Sequence, residues 1–381
     1  MRGLIPWSLS GMNETGQNMN PLSLAVRSAQ IVVPCSDLQA TMDCFTDRLG
    51  FRVEVIFPAD APTTAVLSGH GLTLRLEVTT DNMPPPALRL LVDFSALPED
   101  TPPELQLPNG MKVKLVEATP AVEVPEGKQE FVISRLGGTD AWGTGRASMQ
   151  YRDLIPARLG GRFVASHICV PQGGPVPDYV HYHRVRFQMI FCKAGCAKVV
   201  YEDQGPPFVL SAGDCVLQPP EIRHRVLEAS PGLEVIEIGC PALHETVADH
   251  VLTLPTAKPI PDRLFNGQRF VHHVARDEKW SPWRIAGFQV RDTGIAWATS
   301  GLAGAAVIRS SEECSGTIQH DGEFLFFFVL RGHLGLRNDG RTYQLRENDS
   351  CVIPAGCNLQ LKGKPPLELL AVALPGNLLA S

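Results

Sequence analysis

Two segments decide the fold of this chain, and they read GGPVPDYVHYHRVRFQMIFCKAG at residues 173–195 and GDCVLQPPEIRHRVLE at residues 213–228. His181 and His183 are two residues apart, so both side chains point to the same face if this segment is a strand. His224 follows a Gly-Asp turn and a Pro-Pro turn in the second segment. Neutral imidazoles are the commonest protein ligands of borderline divalent metals, so the pattern predicts a metal site.

A glutamine completes the candidate ligand set. Gln188 comes five residues after His183, and this odd spacing would turn it away on one unbroken strand. A turn or bulge at residues 184–186 would bring it back to the same side. His224 is expected from a distant strand, which a barrel allows and a flat sheet does not. We therefore predict that one divalent metal is held by His181, His183, Gln188 and His224.

The two segments resemble the motifs of the cupin family, G-x5-H-x-H-x3/4-E-x6-G and G-x5-P-x-G-x2-H. The match has departures: Gln188 occupies the glutamate position, Glu221 stands where the second motif has glycine, and six residues separate Gly174 from His181. The glutamine spacing is similar to that of the pectin-degradation uronate cyclases within this family. The resemblance implies a jelly-roll barrel that binds one divalent ion, with iron favoured and nickel, zinc or manganese as alternatives.

Residues 282–375 repeat the pattern with apolar side chains. Aligning the glycine and proline turns of the two copies places four residues of the second copy at the positions of His181, His183, Gln188 and His224: Ile318, His320, Leu325 and Leu359. This internal repeat predicts a bicupin with one metal-binding half and one apolar, structural half. We interpret His320, which lacks partners of its own kind, as a buried or rim histidine.

The chain before residue 120 has a different pattern, a β-α-β-β-β order over residues 28–80. Residues 29–33 read as a strand, and Ser36 is the expected N-cap of the following helix. The segment resembles a module of the vicinal-oxygen-chelate, or glyoxalase-like, family, in which the position of Gln30 often carries a metal ligand. Glu77 is the other candidate there. Because these two make a poor metal site, we expect the module to serve packing or dimerisation.

The expected fold class is therefore mainly β: two jelly-roll cupin barrels preceded by an α+β glyoxalase-like (βαβββ) domain. The predicted boundaries are a tail at 1–27, the glyoxalase-like domain at 28–120 with a shortened second copy at 86–118, a linker at 121–149 with an added strand near 130–134, the metal-binding cupin at 150–255, and the degenerate second cupin at 256–381.

Composition narrows the partners and the compartment. The chain of 381 residues has a net charge of -6, which argues against nucleic acid as the main partner. The longest strongly apolar run, residues 324–330, is too short to span a membrane. The ten cysteines include no C-x2-C pair, and the N-terminus does not resemble a secretory signal, so we expect the cytoplasm. The expected partner is a small-molecule substrate, and the N-terminal modules would suit a homodimer.

Three functions are compatible with such a site. The resemblance to bicupins with a neutral ligand set favours a dioxygenase acting on a small carboxylated, hydroxylated or diketone molecule. A non-redox cyclase or isomerase of sugar acids that uses nickel or zinc is the first alternative, and a small-molecule sensor or binding protein is the second. Arg186 and Arg223 lie close in sequence to the candidate ligands and are the predicted substrate-binding residues. The sequence assigns no catalytic acid or base.

Overall fold

Strands dominate the architecture. The computed structural model of the protein describes residues 11–12, 18–19, 25–48, 50–69, 71–79, 87–106, 112–137, 142–144, 149–338 and 340–379. The chain divides into an N-terminal unit, Met1–Phe57 with Pro62–Ala121, and a C-terminal unit, Pro58–Ala61 with Val122–Ser381. None of the helices in these described ranges has the length and apolar character needed to cross a bilayer.

The N-terminal unit contains these elements: β1 Gly11–Met12, β2 Asn18–Met19, β3 Val26–Cys35, α1 Leu38–Asp43 followed by a π-helical turn Cys44–Arg48, β4 Arg52–Phe57, β5 Thr64–Gly69, β6 Leu72–Val78, β7 Ala87–Val92, a 3-10 turn Phe94–Ala96, β8 Glu104–Gln106 and β9 Lys112–Glu117. The β-α-β-β-β order predicted for residues 28–80 is confirmed. Most of the predicted tail at 1–27 lies outside the described residues.

The sheet of this unit runs in the order β4-β5-β6-β3-β7-β9-β8. Strand β3 is parallel to β6 and antiparallel to β7, and β7 is parallel to β9. The first strands of the two predicted copies therefore lie side by side. Helix α1 buries Leu38 against Leu67 and Leu76. Its N-cap is Asp37 rather than Ser36, because the Asp37 carboxylate accepts a hydrogen bond from the amide of Ala40 at 2.9 Å.

The first half of the C-terminal unit contains β10 Val132–Ser134, β11 Gly143–Thr144, β12 Gln150–Asp153, α2 Arg158–Gly161, β13 Val164–Val170, β14 Gly174–Pro175, β15 His181–His183, β16 Phe187–Ala194, β17 Cys196–Tyr201, β18 Phe208–Ser211, β19 Cys215–Leu217, β20 His224–Ala229, β21 Leu233–Cys240, β22 Thr246–Ala248, β23 Leu264–Phe265, β24 Gln268–Arg269 and β25 Val271–His273. The sequence pattern of this half predicts strands at 162–170, 188–192, 197–202, 208–210, 215–218, 224–228 and 233–238, and each begins and ends within two residues of its observed counterpart.

The second half contains a 3-10 turn Ala275–Asp277, β26 Ser281–Pro282, β27 Phe288–Asp292, α3 Ile295–Ala298, β28 Gly304–Ser310, β29 Cys314–Ile318, β30 Phe324–Arg331, β31 His333–Asn338, β32 Arg341–Arg346, β33 Ser350–Val352, β34 Leu359–Gly363, β35 Glu368–Leu374 and a 3-10 turn Gly376–Leu379.

Each half is a sandwich of two sheets. In the first sandwich, one sheet runs β11-β12-β13-β21-β16-β19-β25, and the facing sheet contains β18-β17-β20-β15-β22 with β14 beside β20. In the second sandwich, the sheets run β10-β33-β30-β35-β28-β27-β26 and β29-β34-β31-β32. The predicted mainly-β class is confirmed, and the two sandwiches share a strand order, to which the first adds β14 and β22.

The register of the two sandwiches supports the internal repeat residue by residue. Ile318 lies opposite Leu359, as His181 lies opposite His224. The amide of Ile353 donates to the carbonyl of Leu325 at 2.9 Å, and in the first sandwich the amide of Gln218 donates to the carbonyl of Gln188 at 2.9 Å. The four positions aligned from the sequence are therefore structurally equivalent.

Two edge strands pair across the boundaries predicted for the sandwiches. Strand β10, from the predicted linker at 121–149, pairs with β33 of the second sandwich, and β25, from the predicted second cupin at 256–381, pairs with β19 of the first. Each sandwich thus receives an edge strand from outside its predicted limits, which covers backbone groups that would otherwise be exposed. Residue 255 therefore does not separate two independent bodies.

The hydrophobic cores show how the two sandwiches differ. One core joins them, and in it the rings of Phe163 and Phe324 stack at a centroid distance of 4.2 Å. The interior of the second sandwich is filled with apolar side chains that include Ile318, Leu325 and Leu359. The interior of the first sandwich is apolar at one end only, and polar residues replace the hydrophobic ones at the other.

Candidate metal centre

The three predicted histidines come together on two adjacent strands of one sheet. His181 and His183 project from the same face of β15, as their spacing predicts, and β20 places His224 directly opposite His181. One ligand nitrogen from each ring lies within 4.8 Å of the other two. The expectation that His224 comes from a distant strand is wrong, because β20 is the hydrogen-bonded neighbour of β15 and opposed side chains on such strands lie close together.

Hydrogen bonds determine which ring nitrogen of these histidines carries the lone pair. The Nδ1 of His181 lies 2.8 Å from the carbonyl oxygen of Tyr179, and the Nδ1 of His224 lies 3.0 Å from that of Ile222. A carbonyl oxygen only accepts, so in both rings Nδ1 holds the proton and Nε2 holds the lone pair. The Nδ1 of His183 lies 3.1 Å from the hydroxyl of Thr246. Such partners on the second nitrogen orient metal-binding histidines.

Gln188 is on the facing sheet, at the start of β16, after the interruption of strand structure predicted at 184–186. It is 1% exposed, and its Nε2 donates to Oε1 of Glu237 at 2.6 Å. Its own Oε1 is buried and has no hydrogen-bond partner within the described part of the chain. A buried amide oxygen without a partner is costly, so this atom is suited to a ligand or a bound ion.

The histidines open into a cavity of about 150 Å³ inside the first sandwich. Aliphatic side chains from both sheets, such as Val164, Ile168, Val199 and Leu210, form much of its wall. Its polar lining gathers around the histidines and includes Tyr201, Gln218, Glu237, His244 and Thr246. The cavity therefore combines an apolar wall with one polar end, as small-molecule sites commonly do.

A pair of polar residues borders His224. The ring of Tyr201 stacks on the His224 ring at 5.4 Å, and the Tyr201 hydroxyl accepts a hydrogen bond from Nε2 of Gln218 at 2.9 Å. Burial raises the pKa of the Tyr201 hydroxyl, so the phenol keeps its proton at every physiological pH. The Oε1 of Gln218 is buried and lacks a partner among the described residues.

The two predicted substrate-binding arginines are placed elsewhere. Arg186 donates to Glu323 at 2.7 Å. Arg223 donates to Asp249 at 3.2 Å, and its guanidinium lies over the Tyr182 ring. Neither is among the described residues that line the cavity. Arg223 immediately precedes His224, and adjacent residues of an extended segment point to opposite faces. Arg186 lies in the break between β15 and β16.

Sequence reasoning missed Glu237, Gln218 and His244. Glu237 lies on β21 with Val235, and both line the cavity, whereas the intervening Ile236 packs in the core between the sandwiches. A carboxylate at a cavity-facing position of an apolar strand is the signal that could have identified it. In the second sandwich, the same strand position is Ala371, as the registers of β16 with β21 and β30 with β35 show.

Among the described residues, the second sandwich has no histidine cluster equivalent to that of the first. His320 is 5% exposed, and its Nε2 donates to the carbonyl of Ile353 at 2.9 Å. It is a buried histidine bonded to the backbone, as expected from the sequence. Its neighbours at the other aligned positions are the aliphatic side chains of the second core.

The first sandwich thus combines two packed sheets with a cluster of three histidines that could hold a metal ion. The family model described as a cupin domain matches residues 310–373, within the second sandwich. No curated protein gives a significant match to the chain.

Several solved structures are similar in fold to this chain at low sequence identity. Protein Ylba from E. coli is 14% identical with a TM-score of 0.46, covering 68% of this chain and 94% of its own. Salicylate 1,2-dioxygenase from Pseudaminobacter salicylatoxidans is 14% identical with a TM-score of 0.48, covering 66% and 86%. Oxalate decarboxylase from Lactobacillus farciminis, in a formate complex, is 15% identical with a TM-score of 0.48, covering 66% and 88%.

Proposed function

We propose that the protein is a metal-dependent bicupin enzyme whose single divalent ion is held by His181, His183 and His224 of the first sandwich. One observation carries this proposal: each of the three imidazoles offers one ligand nitrogen, and these nitrogens all lie within 4.8 Å of one another, a spacing that one ion can bridge. Iron is the favoured ion, with nickel, zinc or manganese as alternatives. A bound ion would supply a Lewis acid for a substrate oxygen and, if it is iron, electron exchange with O2.

Gln188 is the proposed fourth protein ligand. Its Nε2 is held by Glu237, so the opposite end of the amide, Oε1, is left for coordination. Glu237 thereby selects the oxygen rather than the nitrogen of this amide for the site. It also places one negative charge beside a set of neutral ligands, which lowers the net positive charge that a substrate meets.

The reaction we favour is oxygenation of a small oxygen-bearing molecule. The test is oxygen consumption by the iron-loaded protein with a panel of diketones and dihydroxy aromatics. We expect substrate-dependent uptake that disappears in His224→Ala, because that change removes one of three clustered imidazoles. His320→Ala is the matched control, since His320 occupies the equivalent apolar sandwich, and its uptake should equal that of the unmodified protein.

A non-redox isomerase or cyclase remains the second candidate, and a specific observation favours it. The cavity holds Glu237 and His244, and both can exchange a proton with a substrate bound between them and the histidines. The Nδ1 of His244 lies 3.0 Å from the carbonyl of Pro241, so its Nε2 carries the lone pair. Conversion of a sugar acid under anaerobic conditions by zinc- or nickel-loaded protein would assign the protein to this class instead.

We propose that the N-terminal unit is a glyoxalase-like module that serves packing or homodimer formation and has no metal of its own. Gln30 is 6% exposed on β3, and Glu77 on β6 is ion-paired with Arg75. Glu77 lies opposite Pro34, four residues from Gln30, which separates the two candidates by about 13 Å along the strand. That separation is too long for one ion.

Replacing Gln30 and Glu77 together with alanine should leave the metal content of the full chain unchanged. The expected result follows from the separation of the two side chains, and elemental analysis of the purified variant measures it. The loss of one metal equivalent, with the histidine cluster intact, would show that the N-terminal unit holds an ion.

The nine cysteines whose side chains the structure describes are free thiols. This state agrees with the cytoplasmic location that we propose, because disulfides are rare in a reducing compartment.

A further inference from the structure

The volume and the lining of the cavity beside the histidines restrict the size and the polarity of the substrate, and the sequence alone does not show this. Its volume of about 150 Å³ is similar to that of engineered apolar cavities that hold one benzene ring. The aliphatic wall offers the body of a ligand no hydrogen bonds. A compact molecule about the size of one six-membered ring therefore matches the space and its surface.

Beyond the proposed ion itself, the described side chains that line the cavity offer a carboxylated substrate no cation. Among the described residues that line it, none is a lysine or an arginine, and the acidic ones are Glu237 and Asp60. Asp60 is ion-paired with Arg158. Arg186 and Arg223 are held by Glu323 and Asp249 outside the lining. A carboxylate placed against this wall would be desolvated without a cationic side chain to compensate it.

The polar end of the cavity is rich in hydrogen-bond acceptors. Gln218 is 2% exposed, and its buried Oε1 has no partner within the described ranges. The lone pair of His244 Nε2 adds a second acceptor on the same lining. A ligand that donates a hydrogen bond, such as a phenol, an alcohol or an enol, would satisfy these atoms, whereas an ionised carboxylate has no proton to donate.

We infer that the substrate of this site is a compact, mainly apolar molecule of about one ring, with hydroxyl or enol oxygen at one end and no carboxylate or phosphate. This inference rests on the proposed function in taking the cavity as the substrate site, and it narrows the substrate class, since the sequence leaves carboxylated molecules open. Dihydroxy aromatics and enolised diketones meet these requirements, and sugar acids do not.

The test compares ligands that carry a hydroxyl with ligands that carry a carboxylate at the same ring position. Phenol and benzoate form a pair that does not chelate, and catechol and salicylate form a pair that does. Binding to the full chain is measured by isothermal titration calorimetry under anaerobic conditions. The metal-free protein is titrated with phenol and benzoate, and the zinc-loaded protein is titrated with all four ligands. We expect the uncharged member of each pair to bind at least about tenfold more tightly, a difference of about 1.4 kcal/mol. Equal or tighter binding of benzoate or salicylate would refute the inference.

Two variants test whether the charge of Glu237 causes the preference for the uncharged ligand. Glu237→Gln keeps the shape of the side chain and removes its charge, so the preference for phenol over benzoate should fall several-fold. Glu234→Gln is the matched control on the same strand, because Glu234 bonds to His167 and Lys193 away from the cavity lining, and its preference should match that of the unmodified chain. An unchanged preference in Glu237→Gln, or an equal fall in both variants, would contradict the proposed role of this charge.

A third variant shows that the ligands occupy this cavity. Val226 lines the wall, and Val226→Phe should abolish the binding of phenol while thermal unfolding reports that the chain remains folded. Binding that survives Val226→Phe, or absence of any binding to the unmodified protein, would overturn the inference. The metal-free arm separates the two proposals: a protein that binds phenol but retains no ion would refute the metal-dependent function and leave the ligand preference standing.

Discussion

Replacing His181 and His183 together with alanine is expected to abolish metal retention by the full chain. Both rings belong to the cluster whose ligand nitrogens lie within 4.8 Å of one another. Removing even residues that only orient a metal ligand weakens binding by about 10- to 100-fold, so the loss of two ligands should exceed ~100-fold. Elemental analysis of protein purified after equilibration with iron, nickel, zinc or manganese measures the effect directly.

The control for this double variant is His320→Ala. His320 occupies the equivalent of His183 and bonds to the backbone of Ile353, so its removal should leave the metal content unchanged. The assignment fails if the double variant retains a full equivalent of metal, or if His320→Ala removes the ion while circular dichroism and thermal unfolding show a folded chain.

The second large effect is expected in the apolar sandwich, where Leu359→Asp should unfold or severely destabilise the protein. Leu359 is fully buried opposite Ile318, and the second core offers a carboxylate no cationic partner among the residues that form it. The substitution loses apolar burial of about 1.5–3 kcal/mol and adds the cost of an unpaired buried charge, so a loss above about 4 kcal/mol is expected. Urea unfolding followed by circular dichroism measures the change.

Gln360→Asp provides the matched comparison, because Gln360 is the next residue on the same strand and is exposed. It introduces the same carboxylate on the outer face and should change the free energy of unfolding by less than about 0.5 kcal/mol. A native-like unfolding midpoint for Leu359→Asp would show that the position tolerates a polar group, and the structural role of the second sandwich would have to be abandoned.

The metal cluster illustrates how much local spacing can predict. His181 and His183 share a face because strand side chains alternate with a period of two. The Gly and Pro turns that delimit the strands also allow the apolar copy to be aligned, and its partners Ile318 and Leu359 lie opposite one another as the alignment requires. These features depend on residues close in sequence or on a repeated pattern, so they follow from the amino-acid sequence alone.

The neighbourhood of the cluster cannot be derived in this way. Arg186 is a predicted substrate-binding residue because it follows the histidines in sequence. In the structure, its guanidinium is ion-paired with Glu323 of the second sandwich. Sequence reasoning does not identify Glu237, because this residue lies 49 residues after Gln188, whose side chain donates a hydrogen bond to it. Contacts across such sequence separations depend on which strands become neighbours, and local patterns contain little information about that choice.

The extent of the two sandwiches is also decided by the tertiary structure. The sequence places β10 in the linker and β25 in the second cupin. The residues of each segment favour a strand, but they do not specify the strand with which it pairs. Each pairs with the opposite sandwich, where an edge is left to be covered. The sequence by itself determined the strands, the repeat and the three histidines, since these follow from spacing and side-chain chemistry. Only the tertiary structure decided the acceptor-rich cavity around them, whose described lining includes no lysine or arginine, because its charge balance depends on how distant strands pair and pack.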